Sequence, residues 1–145
     1  MTVKKSISEG FSKKELYDVC KWINDMPIDA SITVGAAHTS AVAATIQLKD
    51  YLGDALAVSG SVIAFLTSDA AGLDINTTAL TTDMVIVTNG SLAILLANKV
   101  YLLTSEANGT IGVQLGYTTG AKDFYLVIIL PSGKKVVSSK FEFTA

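Results

Sequence analysis

Pro27 separates two hydrophobic periodicities in this chain. Before it, Leu16, Val19, Cys20 and Ile23 recur at the 3.6-residue spacing of a helix, and Trp22 and Met26 widen the stripe. After it, apolar and polar side chains alternate every second residue. In Ala41-Val-Ala-Ala-Thr-Ile-Gln-Leu-Lys49, Val42, Ala44, Ile46 and Leu48 share one face while Thr45, Gln47 and Lys49 share the other. Such alternation belongs to a half-buried strand, because successive side chains point to opposite sides of a sheet. Similar runs are predicted at Val62 to Leu66, Met84 to Val87, Leu92 to Leu96, Val100 to Leu103, Ile111 to Tyr117, Phe124 to Leu130 and Lys135 to Phe143. A shorter strand at Ser31 to Val34 opens the set.

Between these runs lies turn chemistry: Asp50-Tyr-Leu-Gly-Asp54, Asn89-Gly90, Asn108-Gly109, Thr119-Gly120 and Pro131-Ser-Gly133. Leu103 to Leu115, "LTSEANGTIGVQL", has the form of a hairpin closed at Asn108-Gly109. The uninterrupted "FYLVIIL" predicts a central strand covered on both faces and closed by Pro131. Eight or nine short strands spaced this way predict a mainly β fold, an antiparallel sandwich. One short N-terminal α-helix precedes it. Ser12 and Glu15 are spaced for a capping box, and Phe11 and Leu16 for a hydrophobic staple. Pro27 ends the helix at or just before Met26. Two regions follow: residues 1–27, an arm with an amphipathic helix, and residues 28–145, the sandwich.

Charge is distributed unevenly between them. Residues 1–25 hold five Lys and four acidic side chains, whereas only 17% of the whole 145-residue chain is charged and half is hydrophobic. The sandwich surface is therefore expected to be rich in Ala, Ser, Thr and Gly, which suits packing against neighbours. A net charge of -2, with every cation a lysine, argues against nucleic-acid binding and leaves no guanidinium fork for phosphate. The N-terminus has lysines but no apolar h-region, so it does not read as a signal peptide. No apolar run reaches the roughly 18 residues of a membrane span. One cysteine, Cys20, allows no intramolecular disulfide and reads as a small buried apolar residue.

Reactive groups are few. His38, the single histidine, falls between two strands in "GAAHTSA" and has no Cys or His partners for a metal cluster or a triad. Asp50, Asp54, Asp69, Asp74 and Asp83 are placed in loops; none of their spacings forms an EF-hand, and they read as solvated carboxylates rather than calcium ligands or a glycosidase pair. The sequons at Asn89 and Asn108 are better explained by turn formation, and Asn76-Thr-Thr is a third. No catalytic residue, cofactor or metal site is assigned. The N-terminal segment has two readings. Its apolar stripe either packs on its own sandwich or docks on a partner, with Lys4 and Lys5 in the arm, Phe11 and Leu16 in the staple, and Tyr17 or Trp22 as the buried anchor.

The stretches "QLKDYLGDAL" (47–56), "VIAFLTSDAAG" (62–72) and "TSEANGTIGVQL" (104–115) together resemble the bacterial Ig-like domain of the invasin and intimin type. Asp50, Gly53, Phe65 and Gly109 match the family's pattern, while Ser105-Glu106 stands where Thr-Asp is usual. The closing "FYLVIILPSGKKVVSSKFEF" (124–143) is similar to the last hairpin of Ig-like domains in tailed-phage virion proteins. The resemblance covers residues 30–145. It implies an Ig-like sandwich and a structural protein of a phage virion, most simply a head decoration or accessory capsid protein. Such a protein would be assembled in the host cytoplasm and held by its N-terminal region to the major capsid or another virion protein and to its own copies. Cytoplasmic assembly fits the lack of a signal peptide and of disulfides. The alternative is an Ig-like module that binds carbohydrate or a host surface through loop aromatics, for which Tyr51 and Tyr117 are the candidates.

Overall fold

The computed structural model describes Ser12, Glu15 and residues 25–145. Its framework is β2 (Ala41–Lys49), in which Val42, Ala44, Ile46 and Leu48 are buried and Ala43 and Thr45 are exposed, as the alternation predicts. β2 pairs with β1 (Asp29–Val34) on one side and β7 (Thr110–Gly116) on the other. With β4 (Thr82–Thr88) they form a four-stranded sheet of order β1-β2-β7-β4.

The second sheet has six strands. β8 (Lys122–Ile129), β3 (Ser61–Thr67), β6 (Val100–Thr104) and β5 (Ser91–Leu96) run side by side, with β9 (Lys135–Val137) and β10 (Phe141–Phe143) beyond β8. All strand pairings between and within these elements are antiparallel. The chain is thus mainly β, two antiparallel sheets packed as a sandwich. Their inward residues, among them Ile46, Leu48, Ile111, Leu115, Leu103, Leu126 and Ile128, form one continuous core. At one end Phe124 meets Tyr117 edge-on at 5.5 Å, and Phe141 and Phe143 at 5.9 and 5.7 Å. These spacings favour offset and T-shaped contacts between rings.

Three sequence expectations change. The stretch from Leu103 to Leu115 is not a hairpin: β6 lies in the six-stranded sheet and β7 in the four-stranded one, so the chain crosses between layers here. The Asn89-Gly90 turn does the same between β4 and β5. An Asn-Gly pair supplies the reversal, but pairing depends on which face the next strand must bury. Leu103 and Ile111 enter the core from opposite sheets. The crossings are tight. A Cβ on Gly90 (φ 108°) would lie 2.5 Å from the Thr104 carbonyl, and one on Gly109 (φ 72°) 2.9 Å from the Leu48 carbonyl. The second change is at Lys135 to Phe143, which is interrupted. Tyr125 and Leu126 of β8 oppose Ser138, Ser139 and Lys140, one residue too many, and the strand bulges. Ser138 heals the gap: its N–H donates to the Leu126 carbonyl, and its hydroxyl accepts from the Leu126 N–H, both at 2.9 Å. Third, Asp83 lies on β4 rather than in a loop.

β8 is covered on both sides at Val127, as predicted for "FYLVIIL", but the outer cover is a loop rather than a layer. Lys135 Nζ donates to the carbonyls of Ala71 and Gly72, holding that loop over Val127 and Val137. The predicted helix lies, apart from Ser12 and Glu15, outside the described residues. Those two make the capping box: Ser12 N–H donates to Glu15 Oε2 at 2.6 Å, and Glu15 N–H to Ser12 Oγ at 3.2 Å. Asp25 and Met26 are already in a turn, ahead of the buried Pro27.

Two glycines of nearly equal φ separate the causes of strain at the crossings. Gly90 (φ 108°) faces the Thr104 carbonyl, whereas Gly120 (φ 107°) has open space where a Cβ would stand. Gly120→Ala should cost roughly 1–2 kcal/mol for the backbone alone. Gly90→Ala should cost about 2 kcal/mol more, since backbone must shift. Urea unfolding of the two variants checks this; equal midpoints would mean the crossing is loosely packed.

Candidate functional site

Of the polar groups that might have formed a reactive centre, His38, Asp50, Asp69 and Asp83 are engaged by backbone amides. His38 is exposed and closes the turn into β2: its Nδ1 accepts from the N–H groups of Ser40 (3.2 Å) and Ala41 (3.4 Å). Its own N–H donates to the Glu142 carbonyl, and its carbonyl accepts from Thr144, tying the chain end to that turn. Asp50 Oδ1 accepts from Leu52 and Asp54 N–H, the arrangement that shapes the Gly53 turn. Asp69 Oδ1 accepts from Asp74 and Leu73 N–H, and these bonds hold its carboxyl below the usual carboxylate range. Asp74 accepts from Ser68 Oγ. Among the described residues no three His, Cys, Asp or Glu side chains converge on one point.

The most deeply buried ionisable group among the described residues, Tyr101, is structural in its bonding. The phenol of Tyr101, fully buried, donates to Asp83 Oδ1 at 3.1 Å and accepts from Met84 N–H at 3.2 Å. Asp83 Oδ1 also accepts from Asn98 N–H at 2.5 Å. This knot joins β4 of one sheet to β6 and the β5–β6 turn of the other. Burial pushes the Tyr101 hydroxyl up to about 12, and the neighbouring Asp83 carboxylate adds to the rise.

The proposed binding aromatics divide. Tyr51 stands 46% exposed in the 50–54 turn, but Tyr117 is only 8% exposed and packs on Phe124 and Phe143. The burial of Tyr117 follows from its place at the end of β7, where it closes the aromatic end of the core. Lys4, Lys5, Phe11, Leu16, Tyr17 and Trp22, the residues expected to dock a partner, and Cys20 with them, lie outside the described residues. Asn76 is buried although Thr77 of its sequon is exposed, whereas Asn89 (φ 55°) and the exposed Asn108 serve turns.

What the sequence reading did not anticipate is the contrast between the two outer faces. The four-stranded sheet presents Ser31, Thr33, Ala43, Thr45 and Gln114 outward, the small polar surface expected from composition, except along its edge strand β4, where Val85 and Val87 are half exposed. Thr82 and Thr88, at the irregular ends of β4, lie directly over Gly116 and Gly112, where a Cβ would collide with their hydroxyls. The six-stranded sheet instead exposes Ile63, Leu96 and Leu102, with Leu73 and Ile75 beside them. Two grooves open on it. One of about 320 Å³ is lined by Phe65, Ile75, Leu96 and Val100, and one of about 300 Å³ by Ile63, Leu102, Ile129 and Pro131. The signal was present in "SLAILL", where alternation fails and five apolar residues follow one another. No described helix is long and apolar enough to cross a membrane. No protein-family model matches the chain, and no curated protein matches it.

The Tyr101 knot has a definite alkaline signature. Its folded pKa is raised above the ordinary 10, so the folded state holds the proton more tightly. The stabilisation is complete below pH 10 and is lost as pH rises towards about 12. Tyr101→Phe should remove that alkaline step and cost about 1–3 kcal/mol at neutral pH by leaving the Met84 N–H unpaired. Chemical unfolding of both proteins from pH 7 to 12 measures it; an alkaline step kept in the variant would assign the loss to another group.

Proposed function

We propose that the chain is a non-enzymatic structural protein built on an Ig-like sandwich. In this reading it is a component of a tailed-phage virion, a head decoration or accessory capsid protein assembled in the host cytoplasm. The observation that carries the reading is the distribution of chemistry over the sandwich. The carboxylates of Asp50 and Asp69 and the imidazole of His38 are engaged by their own turns, while both broad faces carry little charge, one small and polar apart from Val85 and Val87 on its edge strand, the other apolar. A surface of that kind serves packing between molecules better than turnover or nucleic-acid binding.

Strand order supports the Ig-like part of the proposal. With β1, β2, β7 and β4 taken as A, B, E and D, and β9–β10, β8 and β3 as G, F and C, the two sheets follow the ABED and GFC plan. The β5–β6 hairpin then extends the second sheet beyond C. The resemblance of residues 30–145 to Ig-like modules of phage virions supports the location. The arm and helix of residues 1–27 attach the protein to the major capsid or another virion protein, and neighbouring copies complete the contact. The carbohydrate-binding alternative keeps Tyr51 but loses Tyr117 to the core, and it is not advanced.

Mass spectrometry of intact particles should find the protein in copy numbers comparable to the major capsid protein. A version lacking residues 1–26 should fold, with a sandwich circular dichroism spectrum, and yet be missing from purified particles. Incorporation of the shortened protein at the full level would remove the attachment role from the N-terminal region. Absence of the intact protein from particles would remove the virion reading itself.

A further inference from the structure

The free edges of the two sheets are not alike. β1 begins with Asp29, ion-paired to Lys134 at 2.9 Å. β4 carries Asp83 and two register irregularities. The β9–β10 edge carries Lys135 and the Ser138 bulge, followed by Lys140, which pairs with Asp123 and Glu142. Charges and bulges of this kind hinder pairing with a foreign strand. β5, the last strand of the six-stranded sheet, reads Ser91-Leu-Ala-Ile-Leu-Leu96 and has neither charge nor proline. Ile94, Leu95 and Leu96 are each half exposed. Its one irregularity falls at Leu95, which leaves Ser91 to Ile94 in unbroken register with β6. Among the described residues the backbone of Leu92 to Ile94 makes no hydrogen bond except to β6.

We propose that β5 pairs antiparallel with β5 of a second copy across a two-fold axis, joining two six-stranded sheets into one. The occupant of this edge has to be an extended strand, because a free ladder offers alternating backbone N–H and C=O groups that a helix cannot satisfy. It has to be uncharged over the paired stretch, since Ser91 to Leu96 offers no countercharge and an ion brought there would be desolvated without a partner. The same strand of a second molecule meets both conditions. Antiparallel pairing of identical strands is self-complementary, so the contact closes at two copies. On the adjoining outer face Leu96, Leu102 and Ile63 would continue the apolar contact beside the strand pair. The inference goes beyond the virion reading and does not rest on it, because it concerns the purified protein alone.

Sedimentation velocity of the full-length chain over a wide concentration range should show a monomer converting to a dimer. Hydrogen exchange at the backbone amides of β5 should be slower in the concentrated sample than in the dilute one. Leu95→Lys should weaken the dimer at least about thirtyfold with an unchanged circular dichroism spectrum. Leu52→Lys, at a somewhat more exposed position in the 50–54 turn, should leave the dimer intact. In a Cys20→Ser background, single cysteines placed in turn at Leu92, Ala93, Ile94 and Leu95 should give a covalent dimer at one or more positions on mild oxidation. This reading does not require that Leu95→Lys fold. A monomer at every concentration overturns the proposal, as does a dimer that survives Leu95→Lys or fails to cross-link at all four positions. Protection of β5 that does not depend on concentration also overturns it, since residues 1–24 of the same chain would then cover the edge.

Discussion

The described structure depends on two sheets burying alternate side chains against each other in a single apolar core. A strand with one apolar face is marginal in water by itself, and its backbone groups must also be paired before they can be enclosed. β2 and β8 satisfy both demands at once. Each is flanked on both sides within its sheet, and each sends side chains with no accessible surface, such as Ile46, Leu48, Leu126 and Ile128, into the space between. β1, β7, β3, β9 and β10 pair directly with these two, and the turns need only return the chain to the correct layer.

Returning to the correct layer is where sequence and structure diverge. The alternation in 41–49, 62–66 and 111–117 identified strands and their inward residues, because period-2 burial is a local property of the backbone. Sheet membership is not local. Asn89-Gly90 and Asn108-Gly109 carry the strongest short-range signal for a hairpin, yet both join strands of different sheets. Their glycines are required less for a tight reversal than because Thr104 and Leu48 of neighbouring strands approach them closely. The bulge at Ser138 was hidden for a similar reason: a serine in "VVSSKF" gives no sign that its hydroxyl will replace a missing ladder carbonyl.

The buried polar groups sit where the sandwich departs from regular pairing. Tyr101 and Asp83 join β4 to the other sheet at the start of an irregular strand, and Ser105 Oγ accepts from Gly60 N–H where β6 leaves its sheet. Ladder hydrogen bonds are interrupted at such points, and side chains supply the missing partners. That accounts for the carboxylates as well. Asp50, Asp69 and Asp83 looked from the sequence like available oxygens, but each is engaged by amides of its own or an adjacent turn. The turn motifs placed Asp50 and Asp69 in loops, where they are, but Asp83 lies on β4, and nothing local to the chain showed that backbone amides would engage all three.

The surface follows a different rule from the core. Composition called for small polar faces, and the four-stranded sheet has one outside the half-exposed Val85 and Val87 of β4, with Gly112 and Gly116 cleared for the threonines that lie on them. The six-stranded sheet is more apolar, and the breakdown of alternation in "SLAILL" is its trace in the sequence. Apolar side chains on both faces of a strand indicate burial on both faces. β8 obtains the second cover from the 69–75 loop, whereas β5 has none among the described residues. Natural sheets usually place lysine, proline or a bulge on an edge that must stay single, and the other edges of this sandwich do carry such devices. A strand with neither lysine nor proline, regular from Ser91 to Ile94 and irregular only at Leu95, and with leucine and isoleucine facing outward, fits an edge that is completed by another strand.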